Sequence, residues 1–172
     1  MQQSCGARVL VGRAVAVALA SAVIGAASSP TGAFARRSLR APADPVVLAQ
    51  IRATLDSSAG AWNRGDLDGF MTSYAPGEGT TFVGRRGILR GPAAIRANYA
   101  PRFAPGAAPR GTLRFEGLEA DVLAPNVSNV IAFYVLSVRT AAGADSTIAR
   151  GPTTVVMRRL GAGWKIIHDH SS

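Results

Sequence analysis

The last residues of the chain are the ones best suited to chemistry: His168-Asp169-His170-Ser171-Ser172. Imidazole titrates near neutral pH and suits proton transfer. A carboxyl group buried among apolar neighbours has its pKa pushed up toward the same range. Asp169, His168 and His170 are therefore the acid–base candidates, and Tyr134 joins them as a phenol able to polarise a carbonyl. Tyr74 and Tyr99 offer the same phenol chemistry, although all three tyrosines also suit plain packing. Two histidines at alternate strand positions could grip one metal ion, but such a site needs a third ligand. The chain has no other His, its one Cys is Cys5, and Glu116, Glu119 and Asp121 are the only clustered acids within the expected strands. No metal and no cofactor are expected. Nothing in the chain reads as a Ser-His-Asp set, a phosphate-binding glycine loop or a dinucleotide fingerprint.

The final hairpin positions these groups. With Leu160 opposite Gly163, an unbroken ladder sets Thr154 against Asp169, Val155 against His168, Thr153 against His170 and Pro152 against Ser171. Side chains alternate between faces. Asp169 and Ser171 then share a face with Thr154, Pro152 and Arg150, and the histidines share the other with Trp164 and Ile166. If the first face is inward, Asp169 is the acid or base and Arg150 lowers its pKa, or the two form a structural ion pair. If the second is inward, the histidines take that role.

Helices and strands carry the hairpin. Asp44-Pro45 is a helix start, with a capping carboxylate and a proline at the first turn. Val47, Leu48, Ile51, Leu55, Ala59 and Trp62 follow at helical steps. Gly65 ends this helix. Asp66 caps a second one through Leu67, Phe70, Met71 and Tyr74, which Pro76-Gly77 stops. A short strand over 80–84 and a turn with room for another lead to a third helix, opened by Gly91-Pro92 and running through Ile95 and Tyr99. From Thr112 the period changes to two. Strands are predicted over 112–123, 128–140, 146–160 and 164–171, separated by hairpin-grade turns at Pro125-Asn126, Ala142-Gly143 and 161–163. This order predicts an α+β domain: three helices packed on a strongly curved antiparallel sheet of about four long strands plus one or two short ones.

Residues 1–35 have the layout of a secretory signal peptide: Arg8 and Arg13, a small and apolar run over 14–27, then Ala33-Phe34-Ala35 before a cut at Arg36. The apolar run is about 14 residues, against roughly 20 for a membrane span. The expectation is an exported protein, periplasmic or secreted, without stable membrane insertion. Residues 36–43 read as a flexible tether, and 44–172 as one domain. Without Arg8 and Arg13 the chain carries 17 bases against 10 acids, net +7. The arginines are scattered and form no nucleic-acid motif, so a nucleic-acid partner is not expected. Hydrophobic residues at 48% and charged residues at 17% mark a globular chain.

Four passages, in this order, resemble the nuclear transport factor 2-like superfamily and its SnoaL-like members. They are Ala61-Trp62-Asn63-Arg64-Gly65-Asp66, Gly91-Pro92-Ala93-Ala94-Ile95-Arg96, Arg158-Arg159 before Gly163-Trp164, and the ending His168-Asp169-His170-Ser171-Ser172. The ending resembles a branch that includes the association domain of calcium/calmodulin-dependent kinases. The resemblance implies a cone-like fold with a pocket between helices and sheet. For that pocket it implies walls from Trp62, Tyr74, Tyr99, Phe133, Val135, Arg150, Thr154 and Ser171. Kinase association domains place arginines in the pocket; the matching positions here are Val135, Thr154 and Ser171, none of them Arg. Members include isomerases, polyketide cyclases, dehydratases and assembly domains, so fold alone does not set function. The leading expectation is a domain that binds a small, largely apolar molecule, with a homodimer as its form. The alternatives are a cofactor-free isomerase, cyclase or dehydratase using Asp169 or His170, and a homo-oligomeric interaction domain. A purely apolar pocket would favour binding alone; a buried acid facing a tyrosine would favour catalysis.

Overall fold

The computed structural model describes residues 41–172, Ala162 excepted. The expected leader, its cleavage point and residues 36–40 of the tether lie outside the described residues.

Helix α1 spans Pro45–Arg64. The Asp44 carboxylate caps it by accepting from the Val46 amide at 2.7 Å. Gly65 ends it at φ 76°, in the left-handed region that glycine enters without a Cβ clash. Ile51, Leu55, Ala59 and Trp62 form its buried face. The Asp66 carboxylate caps the short helix α2, Leu67–Met71, by accepting from the Gly69 amide at 2.7 Å. A tight hairpin follows, with strands Thr81–Gly84 (β2) and Gly87–Arg90 (β3) joined by the two-residue turn Arg85-Arg86. Helix α3, Gly91–Tyr99, runs into a 3-10 turn, Ala100–Arg102. Three long strands, Thr112–Ala124 (β4), Val127–Arg139 (β5) and Asp145–Leu160 (β6), and the shorter Gly163–Ser171 (β7) complete the chain.

Two features of the sheet differ from expectation. Ala41–Pro42, assigned to the tether by composition, forms a two-residue strand (β1) on the edge of β4. The sheet is also mixed: the order is β1-β4-β5-β6-β7-β2-β3, and β2 runs parallel to β7. The chain reaches β2 through two helices and a connecting segment, a crossover long enough for either direction. Register shifts within β4, β6 and β7 mark bulges, which bend strands and curl the sheet.

One bulge rearranges the final hairpin. Leu160 does oppose Gly163, and pairing runs regularly to Met157 opposite Ile166. The next pair is Val156 with His168, so Ile167 is the extra residue. Val155 then opposes Asp169, Thr154 opposes His170 and Thr153 opposes Ser171. The extra residue reverses the alternation. Trp164 and Ile166 are therefore buried on the same side as Asp169, not with the histidines.

The helices cover this inner side. Asn63 clamps the start of β4 with both ends of its amide: Nδ2 donates to the Leu113 carbonyl at 3.0 Å, and Oδ1 accepts from the Leu113 amide at 2.7 Å. Trp62 donates to the Gly111 carbonyl at 3.1 Å. Its ring meets those of Phe70 and Phe103 edge-on, with centroids 5.5 and 5.2 Å apart. Such pairs add to the large area that aromatics bury. No described helix is long and apolar enough to cross a membrane.

Candidate functional site

A cavity of about 580 Å³ lies between the helices and the inner face of the sheet. That volume falls within the range of small-molecule pockets. Its walls are mostly apolar: Leu55, Trp62 and Phe70 from the first two helices, Phe82 and Leu89 from the short hairpin, and Val130, Ala132 and Leu136 from β5.

The polar end is built around Asp169, 6% exposed. Residues 73–75 run alongside β7 and place Tyr74 there. The Ala75 amide donates to the Ile166 carbonyl at 2.8 Å, and the Ile166 amide donates to the Ser73 carbonyl at 2.8 Å. From that anchor the Tyr74 hydroxyl donates to Asp169 Oδ2 at 2.7 Å. Asp169 Oδ1 accepts from Ser171 Oγ at 2.8 Å and from Thr153 Oγ1 at 3.4 Å. Thr153 and Ser171, opposite each other across the ladder, are themselves 2.8 Å apart. The Ile167 bulge is what allows this arrangement, because it puts Ile166, Asp169 and Ser171 on one face.

Burial dominates the electrostatics. Loss of water raises the Asp169 pKa above the ordinary carboxylate value; the hydroxyls of Tyr74, Ser171 and Thr153, and then the charge of His168, hold the rise back. Desolvation and the adjacent Asp169 charge push Tyr74 well above the usual phenol value. The same two causes raise Tyr99, which also interacts with the Tyr74 hydroxyl. Both phenols are thus neutral hydrogen-bond donors at physiological pH, set beside an acid that holds its proton more tightly than a free carboxyl.

Of the residues singled out from the sequence, Asp169, Tyr134, Trp62, Tyr74, Tyr99 and Ser171 line the cavity. The Tyr134 hydroxyl is engaged elsewhere, donating to the Ser172 carbonyl at 3.0 Å. His168 and His170 do not line it. The bulge turns them to the other face, where His168 Nδ1 lies 2.7 Å from Thr81 Oγ1 and His170 is exposed. Phe133, Val135, Arg150 and Thr154 are also on the outer face. Cavity-lining Ala132, Tyr134 and Leu136 alternate with Phe133 and Val135, and cavity-lining Thr153 and Val155 flank Thr154. Arg150 does not reach Asp169: its guanidinium stacks 4.1 Å from the Phe133 ring centroid and pairs with Glu116 at 3.7 Å. Among the described residues no three His, Cys, Asp or Glu side chains come together as a metal site.

Sequence reasoning missed Thr153, because an unbroken ladder puts it on the wrong face. It also missed Arg85, Arg86 and Arg102, which line the cavity with exposed side chains. The doublet Arg85-Arg86 between two glycines was the available signal.

Fold and site together define a helix-covered curled sheet enclosing one mostly apolar pocket with an acid at its polar end. The sequence profile of the SnoaL-like domain matches residues 51–172, and the chain belongs to that family. It is similar in structure to a nuclear transport factor 2-like protein of unknown function from Shewanella oneidensis. That match has a TM-score of 0.59 at 25% identity and covers 72% of this chain and 97% of that one. A Streptomyces protein, Aln2, matches with a TM-score of 0.64 at 17% identity, covering 76% of this chain and 92% of that one. A protein of unknown function with a cystatin-like fold from Nostoc punctiforme matches with a TM-score of 0.60 at 10% identity, covering 74% and 91%. No curated protein sequence matches significantly.

Proposed function

We propose that this domain binds a small, largely apolar molecule in its cavity and moves a proton on it, as a cofactor-free isomerase, cyclase or dehydratase. The observation that carries this reading is the Asp169 carboxyl, buried in the wall of an apolar cavity and held by Tyr74 at 2.7 Å. A raised pKa brings a carboxyl closer to the range in which it both takes and returns a proton. Ionised Asp169 would take a proton from a carbon next to a ligand carbonyl. Protonated Asp169 would return it at another carbon, or to a departing hydroxyl. Tyr99 supplies a neutral phenol close by that can donate to the carbonyl oxygen as negative charge develops there. Under this proposal the leader is removed on export and the domain acts as a homodimer.

Binding without chemistry is the second reading. It is favoured by one observation: both Asp169 oxygens already accept from the protein's own hydroxyls.

Two measurements test the proposal. N-phenyl-1-naphthylamine, a neutral apolar fluorophore, should brighten on entering the cavity. Ala149→Trp, at a lining position, should block it; equal binding by that variant would place the probe elsewhere. Turnover is followed by NMR in D2O on a panel of β,γ-unsaturated and β-hydroxy ketones. Asp169→Asn should lower any turnover by about 10²–10⁴, the usual contribution of general acid–base catalysis, while still binding the fluorophore. Full turnover in that variant would exclude Asp169 as the proton carrier.

A further inference from the structure

The cavity has one buried acid and three exposed bases among its lining residues. Arg85 and Arg86 form the tip of the β2–β3 hairpin, and Arg102 ends the 3-10 turn after α3. Exposed side chains that line a cavity mark where it opens, so two separate elements bring three guanidiniums to the mouth. Asp169 is the only Asp or Glu among the described lining residues; the exposed last residue, Ser172, lines the cavity too, and no ion pair between it and these arginines is seen among the described residues.

Five arginines elsewhere among the described residues meet acids. Arg64 pairs with Asp66, Arg96 with Asp68, Arg139 with Asp145, and both Arg114 and Arg150 with Glu116. Among the described residues Arg85, Arg86 and Arg102 have no such ion pair; Arg52, Arg90, Arg110, Arg158 and Arg159 lack one as well, and what sets the three apart is that they line the cavity. Turn chemistry does not call for them either. Two-residue hairpin turns favour Asn, Asp and Gly, yet this one is Arg-Arg, and Gly87 behind it supplies the positive φ of 108°.

We propose that the cavity takes an apolar anion: a hydrophobic body fills the interior, and its carboxylate, sulfonate or similar headgroup stays at the mouth on Arg85, Arg86 and Arg102. This rests on the reading of the cavity as a binding site. The guanidinium fork matches the paired oxygens of such a headgroup. Keeping the charge at the mouth leaves it partly hydrated, so the apolar interior is never asked to desolvate an ion. It also sets direction, with the uncharged end of the ligand pointing toward Asp169 and Tyr74.

Two probes that share a ring skeleton separate the contributions. N-phenyl-1-naphthylamine is neutral, and 1-anilinonaphthalene-8-sulfonate adds one anionic group. Fluorescence titration of the wild type should show the sulfonate binding about tenfold more tightly, with the advantage shrinking as salt screens it. Arg85→Ala/Arg86→Ala/Arg102→Ala should lose that advantage and bind the neutral probe within about twofold of wild type. Arg102→Ala alone should lose about threefold. The charge-matched control Arg52→Ala/Arg158→Ala/Arg159→Ala removes three exposed arginines that do not line the cavity, and should keep the advantage. Equal affinity for the two probes in the wild type would overturn the anion proposal while leaving the cavity a binding site. Equal losses in both triple variants would do the same, by tracing the preference to net charge. Neither probe binding, or both binding undiminished to Ala149→Trp, would overturn the binding-site reading and this proposal with it.

Discussion

Replacing Asp169 by Asn should change how stability depends on pH, and the direction follows from burial. In the unfolded chain an Asp carboxyl ionises near pH ~3.9. In the fold, desolvation raises that pKa despite three hydroxyl donors and the His168 charge. Between the two values the unfolded chain has released a proton that the folded chain still holds. Each pH unit in that window therefore costs the folded state about 1.4 kcal/mol. The contribution is fully present below the unfolded pKa, is lost as pH rises, and levels off above the folded pKa. The amide introduced by Asp169→Asn has nearly the same volume as the carboxyl, can still accept from Ser171 and Thr153, and does not titrate. The difference in Tm, wild type minus Asp169→Asn, should then fall by about 4–7 °C per pH unit from pH ~4 upward before it flattens. Circular dichroism melts of both proteins at half-unit steps from pH 4 to 8 measure it, and taking the difference cancels every other titrating group. Melting temperatures that stay a constant distance apart would mean that Asp169 ionises as it does in the unfolded chain. The acid–base assignment would then lose its physical basis.

Tyr74→Phe removes the donor at 2.7 Å from Asp169 Oδ2. It should cost about 1–3 kcal/mol in chemical denaturation. It should also move the flattening of the Asp169→Asn difference, remeasured in the Tyr74→Phe background, to higher pH, because a bond that lowers the pKa is gone. His168→Ala should cost about 0.5–1.5 kcal/mol through the lost Thr81 contact, and His170→Ala less. Both should bind N-phenyl-1-naphthylamine as wild type does, since neither histidine lines the cavity.

Much of the framework can be read from the chain. Asp44-Pro45 and Asp66 mark their helix starts because capping is local chemistry, and the structure shows both carboxylates accepting the expected amides. The turn at 161–163 sets Leu160 opposite Gly163 for the same reason. Asp169 was identifiable as a candidate, alongside His168 and His170, because it is the one carboxylate in the last strand.

Which way the strands face was not legible. Along β5, the inward Val130, Ala132, Tyr134 and Leu136 alternate with Ile131, Phe133 and Val135, and the two sets are equally apolar. Thr153 and Val155 alternate with Thr154 and Val156 in the same way. Alternation identifies an inner face only when the two faces differ in polarity, and here they do not. The bulge at Ile167 is equally silent, since one extra residue leaves composition and turn signals unchanged and yet moves every later side chain to the other face. The chain by itself determined the helices and long strands, their order and the family, which rest largely on patterns among near neighbours in sequence. Tertiary packing alone decided which face of β7 looks inward, that Tyr74 rather than a histidine meets Asp169, and that three arginines from two elements gather at the mouth. Those outcomes depend on where the helices settle on the sheet, and no local pattern records that.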